Sequence, residues 1–417
     1  MLCSFLLPLL IPVGLVVFFR ILNKPNKPAI FGIYQQKNKF FWLKFLFMYT
    51  TLRIRQLIYH ARRIYNVESG KSCDGTLQVP KLDEALENKY YLGDNAQAID
   101  AVYFNGNNKD GDAVICGIAR RPKNVVDAFL YLKVKGEDLL LSPELPDTYQ
   151  EQGLTEQGLY KIKGLEVENF LPMRTWKLTY KGDMKPKNDK QKTVQVEAEL
   201  TWSAVFTHFN YDTQISPRSM AKDIAREKWS KGYFKLLKKL HQTHYEQMGV
   251  LQGTVTIDGK QHTIDIPCVR DHSFGPFRDW RTFHRYVYHF IFLENGDCMA
   301  IGSVCQPAVL SHLTIGYLCR HSDQAVLAVQ SSDFQLYQHG EHQILPRDYG
   351  FIFKAGNQSY VVRVQVDSED IFYIGKEREA KFYERWCRVD VNGVKGSACV
   401  EWHYNNVQDK RKRGDAE

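Results

Sequence analysis

Between residues 270 and 289 the chain gathers its densest polar and aromatic chemistry: Arg270-Asp271-His272-Ser273-Phe274-Gly275-Pro276-Phe277-Arg278-Asp279-Trp280, then Arg285, Tyr286 and His289. Carboxylates, imidazole and guanidinium packed beside indole and phenyl rings form a polar network in a partly apolar setting. In such places a proton can be moved or a ligand oriented. Arg270, His272, Trp280, Tyr286, His289 and the upstream Trp176 are therefore candidate ligand-binding residues. The competing reading is structural, with Asp271 and Asp279 pairing with Arg270, Arg278 or Arg281 to pin a turn. The chain has no nucleophile elbow, phosphate-binding loop or dinucleotide glycine motif. His241 and His244 stand at i,i+3 spacing without any HExxH-type partner. No metal and no cofactor are expected.

Strands must position this cluster. Val255 and Ile257 lead into Asp258-Gly259, and Ile264 and Ile266 lead out, which predicts a hairpin just before it. Period-two alternation recurs at Trp176, Leu178 and Tyr180, and again at Val194, Val196, Ala198, Leu200 and Trp202. Asn105-Gly106, Asn295-Gly296 and Asn392-Gly393 punctuate further strands. Short strands joined by tight turns predict antiparallel sheets closed into barrels or sandwiches. One segment breaks the rule. Ser216-Pro217 reads as a helix start, and Met220, Ile224, Phe234, Leu237 and Leu240 make one apolar stripe. A connecting helix over 216–248 would divide the β region into units at 85–215 and 249–404, followed by a charged tail at 405–417.

The 417 residues carry a formal charge of +8, but the excess is local. Residues 1–67 hold ten Lys and Arg and no Asp or Glu, leaving 45 basic and 47 acidic side chains in the rest. A body without net positive charge and without a nucleic-acid motif is a poor partner for nucleic acid. A lipid bilayer suits the N-terminal segment better. Residues 1–19 lack any charged side chain, and a helix of that length rises about 28 Å, roughly the thickness of the hydrocarbon layer. The expectation is an uncleaved transmembrane anchor over 1–20. Arg20, Lys24 and Lys27 follow it directly, which places the body on the cytosolic side, at the endoplasmic reticulum. In the following stretch, 21–84, residues 38–66 mix Phe40, Phe41, Trp42, Phe45, Leu46 and Phe47 with Arg53, Arg55, Arg62 and Arg63. That pattern suits a basic amphipathic helix lying in the headgroup layer or packed on the body. Nine cysteines without CxxC or zinc-like spacing read as buried free thiols.

The run Arg270 to Trp280 resembles the RDHSWG-R-W signature of a lipocalin-like family. That family includes bacterial carotenoid hydratases (hydroxyneurosporene synthases), AttH-type proteins, a fungal Diels–Alderase group and the yeast survival-factor protein. His244-Tyr245-Glu246-Gln247 with Gly253 resembles its lead-in, and Tyr383-Glu384-Arg385 through Glu401-Trp402 its closing strands. Phe274 stands where the hydratases usually carry Trp. Tyr103 to Gly111 and Pro172 to Trp176 are similar to the N-terminal modules of animal proteins labelled phosphoenolpyruvate synthase, although this chain has no phosphotransfer domain. The resemblance implies two consecutive lipocalin-like β-barrels. It also implies an acid that protonates an alkene or polarises a substrate, here Asp271, with Glu401 second. A carboxyl group enclosed by aromatics can stay protonated near neutrality.

The expected molecule is mainly β: two lipocalin-like antiparallel barrels joined by a helix, behind a transmembrane helix and a basic amphipathic helix. Its expected function is to hold a hydrophobic small molecule, lipid or isoprenoid-like, in a barrel cavity. The alternative is a hydratase, isomerase or cyclase on an apolar substrate, with Asp271 as general acid.

Overall fold

The computed structural model describes residues 26–68 and 81–407. The expected span over 1–20 and most of the tail lie outside the described residues. Among the described residues no helix is long and apolar enough to cross a membrane.

Twelve strands form the first sheet: β1 Ile99–Asn107, β2 Ala113–Arg120, β3 Val125–Lys133, β4 Leu140–Leu141, β5 Tyr149–Glu151, β6 Tyr160–Ile162, β7 Leu165–Leu171, β8 Thr175–Pro186, β9 Val194–Ala204, β10 Phe209–Asn210, β11 Thr243–Ile257 and β12 Lys260–Gly275. Eight of them pair in a ring, β1-β2-β3-β4-β8-β9-β11-β12 and back to β1. The ring is closed through the short β4, which pairs with β8 at only two residues. The remaining strands form a closed antiparallel barrel: β13 Arg285–Leu293, β14 Cys298–Gln306, β15 Leu310–Arg320, β16 Ala325–Ser332, β17 Asp348–Ala355, β18 Gln358–Ile374, β19 Ala380–Val391 and β20 Val394–Asn405.

The expected boundaries at 216–248 and 249–404 do not coincide with these sheets. The hairpin of β11 and β12, turning at Asp258-Gly259, belongs to the first ring. The expected connecting helix is two short ones. After α1 (Phe41–Glu68) and the single turn α2 (Lys81–Glu84) come α3 (Pro217–Arg226) and α4 (Lys231–Lys239). Ser216 caps α3 by accepting from Ser219 N. Ser230 then goes extended and accepts from Tyr233 N, starting a second helix instead of continuing the first.

Both interiors are filled with side chains. Phe104, Trp176, Leu178, Trp202, Leu251 and Ile266 pack the first, and Val287, Ile291, Phe351, Val362, Val400 and Trp402 the second. Apolar burial on this scale is the main stabilising term. Each interior also encloses arginine. The Arg270 guanidinium lies 5.1 and 4.9 Å from the rings of Trp176 and Trp202, and Arg285 and Arg385 face Trp402 at 5.6 and 5.4 Å.

Candidate functional site

Successive side chains on a strand point to opposite faces, and this rule sorts the candidate residues into two groups. On β12, Arg270 and His272 point into the first ring, while Asp271 points out. Arg270 donates to Glu87 Oε1 at 2.7 Å and to Gln247 Oε1 at 2.9 Å. Glu87 also accepts from Trp176 Nε1 at 2.8 Å. His272 contacts Asp100 Oδ1 at 2.7 Å and the Tyr245 hydroxyl at 3.1 Å. On β13, His289 points into the second barrel and contacts the Tyr349 hydroxyl at 3.0 Å; burial pushes its pKa down to about 3, so it is neutral. Arg270, His272, Trp176 and His289 are thus committed to barrel interiors and tied to partners there, Arg270 Nε alone of their side-chain polar atoms lacking one, and they hold the rings together.

The outward faces meet in a seam between the two sheets. Its first half comes from β1 (Tyr103, Asn105), β11 (His244, Glu246) and β12 (Asp271). The other half comes from β13 (Tyr286, Tyr288), β19 (Phe382, Glu384, Trp386) and β20 (Cys399, Glu401, His403). Tyr103 crosses the seam to donate to Glu384 Oε1 at 3.3 Å and accepts from Asn105 Nδ2 at 2.8 Å. Tyr286 donates to Glu401 Oε2 at 3.1 Å, and Cys399 Sγ lies 3.1 Å from Glu384 Oε2. Tyr288 reaches back across the seam to donate to Glu246 Oε1 at 2.8 Å and shares a short hydrogen bond with Tyr211.

Two pairs of titratable groups dominate the seam, and their environments push them in opposite directions. His244 Nε2 sits 2.8 Å from Asp271 Oδ2 and 3.3 Å from Glu246 Oε1, with Tyr211 stacked on its ring. Burial alone would discharge His244, but the two carboxylates outweigh it and raise its pKa to about 10. Burial would likewise protonate Asp271. The charges of His244 and Arg278 outweigh it and hold the carboxyl below its usual range. Asp271 is therefore an ionised partner of an imidazolium, which corrects the expectation of a protonated general acid at that position.

Glu384 and Glu401 behave the other way. They are direct neighbours across β19 and β20, hydrogen-bonded to each other and almost without solvent. Burial raises both, Glu384 to about 7 and Glu401, under the added charge of Glu384, well above the usual range. Two such carboxyls cannot both ionise, so the pair holds one proton at neutral pH. Glu401 was legible from the closing-strand resemblance. Glu384 had no signal beyond lying in the same quoted stretch, because strand pairing, not sequence spacing, brings it to Glu401.

Trp280 and Tyr286 line the same seam, with Tyr286 stacked on His403 at 4.9 Å and Trp280 5.2 Å from it. Burial, followed by Arg285 and His284, drives His403 down to about 3, leaving it neutral. Several buried atoms here lack a protein partner: Asp271 Oδ1, Trp280 Nε1, Trp386 Nε1 and both His403 nitrogens. Donors and acceptors left open in one place suit recognition of a polar group on an otherwise apolar molecule. His244, Glu246 and Asp271 also offer ligand atoms within 4.8 Å of one another, the one such set among the described residues. A metal there would have to displace the proton from His244.

The architecture is similar to solved structures. An AttH-type protein from Nitrosomonas europaea matches with a TM-score of 0.52 at 10% identity, covering 79% of this chain and 98% of that one. Kievitone hydratase from Nectria haematococca matches with a TM-score of 0.44 at 10% identity, covering 76% and 93%. CghA matches with a TM-score of 0.43 at 8% identity, covering 75% and 89%. At such identities the AttH likeness speaks to the lipocalin-like fold alone. No curated protein matches the chain, so the likeness to the animal modules rests on the residues quoted for it. One family does cover the chain nearly end to end, its model matching residues 9–404: this protein belongs to DUF8627, a family of unknown function.

Proposed function

We propose that the seam is an acid–base site acting on an apolar, lipid- or isoprenoid-like molecule, in a reaction of the hydratase, isomerase or cyclase type. One observation carries this reading: Glu384 and Glu401 lie directly opposite each other on paired strands in a buried, aromatic-walled site, where burial raises both carboxyls. Glu401 delivers that proton to one carbon of an alkene, and the alkene's electron pair forms the new C–H bond. The adjacent carbon becomes cationic beside the rings of Tyr286, Phe382 and Trp280. Added water, which then gives up a proton, or loss of a neighbouring proton ends the reaction; attack by a second double bond closes a ring and leaves a new cation, which ends in one of the same two ways. In each case the carboxylate pair recovers a proton. We read the ligand's position as the seam and not a barrel interior, on the ground that both interiors are packed with side chains. The N-terminal segment is read as the membrane anchor of a cytosolic body, on the grounds of the uncharged residues 1–19 and the Lys and Arg after them.

The test is to incubate the purified protein with an apolar extract of its native membranes in D2O. The expected result is a product that carries deuterium on carbon. Its formation should fall ~10²–10⁴-fold in Glu401→Gln, the usual contribution of a general acid. Apolar molecules that co-purify with the protein but never take up deuterium would point to binding without chemistry.

A further inference from the structure

The helix α1 has two apolar faces, and the protein covers only one. Phe45, Met48, Tyr49 and Leu52 form the inner stripe, seated on Ala221 and Ile224 of α3, on Tyr233 and on Leu310, with buried Phe41 stacked on Phe45. Trp42, Leu43, Leu46, Phe47, Ile54, Leu57 and Ile58 point away, each with about half to two-thirds of its surface exposed. Few soluble surfaces leave so many large apolar residues contiguous. Bases flank this stripe: Lys39 before the helix, then Arg53 and Arg55 within it, while residues 26–67 contain no Asp or Glu. An all-basic border around an apolar face is complementary to anionic headgroups over hydrocarbon. It suits a water-soluble protein partner less well, because nothing acidic on the helix before its last residue, Glu68, would answer that partner's bases.

We infer that the outer face of α1 lies flat in a bilayer leaflet carrying anionic lipid, along the helix's length from Trp42 to Ile58. This deepens the membrane reading above and rests on it. The same seating sets a cleft of about 370 Å³ against the leaflet, walled by Leu52, Ile54, Arg55 and Tyr59 of α1 and by Asp212 and Ile215 opposite. Tyr211, the residue before Asp212, stacks on His244 and bonds to Tyr288 in the seam. The cleft thus ends one residue along the chain from the Tyr211–His244 stack of the seam.

The full chain, mixed with vesicles of phosphatidylcholine and phosphatidylserine, separates the anchor from the helix. Co-flotation reports anchoring. Quenching by lipids brominated on their acyl chains reports whether α1 is immersed. Trp176, Trp202, Trp386 and Trp402 are buried. The quenchable share of the emission should therefore come mostly from Trp42, with a smaller part from half-buried Trp229 against Phe47, and should fall sharply in Trp42→Phe. In that background the indole of Ile58→Trp should be quenched as well. Arg53→Glu/Arg55→Glu should weaken its quenching, because each base near the surface is worth about fivefold in binding. Flotation without quenching at Trp42 would overturn the docking while leaving the anchor. Quenching at Trp42 but not in Ile58→Trp would show the helix leaving the leaflet, and the flat seating would fail. Absence of flotation would overturn both readings.

Discussion

Glu384 and Glu401 carry a cost that is readable in the pH dependence of stability. Burial raises both carboxyls, Glu384 from 4.5 to about 7 and Glu401 well above its usual range. Above pH 4.5 the unfolded chain releases protons that the folded seam still holds. The folded state therefore loses stability as pH rises from there towards neutrality and beyond, the reverse of an ordinary ion-paired carboxylate. Glu401→Gln imitates the protonated form and should remove the share of this slope that belongs to Glu401, leaving that of Glu384. Between about pH 5 and 8 the wild type should lose about 1–3 kcal/mol relative to the variant, measured by urea unfolding. A parallel pair of curves would mean that the two carboxyls do not share a proton. His244 cancels in the comparison, since both proteins keep its pair with Asp271. The residue-level reading of the sequence treated this segment as one cluster, and the structure divides it. Arg270, Asp271 and His272 are adjacent in sequence, yet the pleat sends the first and last into the ring and the middle one into the seam. Composition cannot tell which face of β12 is interior, because both faces are polar at this point.

At the scale of elements, the seam depends on small residues across from large ones. Tyr288 lies over Gly302, its partner across β13 and β14, and a Cβ there would run into the Tyr288 ring. The glycine lets the ring lie flat so that its hydroxyl reaches Glu246. Gly302→Ala should cost about 1–3 kcal/mol in urea unfolding through overpacking. In a Tyr288→Leu background most of that penalty should vanish, because the obstructing ring is gone. An unchanged penalty would place the cause in the backbone instead. Tight turns were legible in part: those at Asp258-Gly259, Asn295-Gly296 and Asn392-Gly393 follow from residues that accept positive φ, as Asp258, Gly296 and Asn392 do, whereas Asn105-Gly106, expected to break a strand, lies inside β1 and is paired on both sides. The helical region was legible in kind but not in extent. The apolar stripe from Met220 to Leu240 continues through the gap between α3 and α4, so periodicity hides the extended Ser230 that separates them. The strand start at Thr243 was hidden for a related reason, since His244-Tyr245-Glu246-Gln247 alternates polar and aromatic residues on two faces that are both buried.

For the whole molecule, the sequence implied two β units, and the structure moves the division between them. A boundary at 249 would cut β11 after its first residues and give β12 to the wrong sheet. The contacts place the change of ownership about thirty residues later. Pro276 and Phe277 accept from Asn95 and Gln242, and Arg278 N donates to Gln97 O, all on the first unit. Thr282 and Asn405 instead tie the next turn to the second barrel: Gln306 donates to Thr282 at 2.8 Å, and Asn405 donates to Arg281 and Phe283 carbonyls at 3.0 and 2.8 Å. The seam then clamps the two units through Tyr103 to Glu384, Tyr131 to Asp370 at 2.9 Å, and the two-pronged pair of Arg378 with Asp147. A chain severed between Arg278 and Asp279 keeps both rings whole and leaves the seam as an interface of buried aromatics and paired charges. Its two pieces, co-expressed, should co-elute as one complex on size exclusion, with the proton-sharing carboxyls still buried. Severing between Met248 and Gly249 separates the first six residues of β11 from the rest of the strand, and with them His244 and Glu246 from Asp271. That pair of pieces should stay insoluble or elute apart. If it assembled as well as the first, the ring would not depend on a continuous β11, and the unit boundary drawn from these contacts would fall.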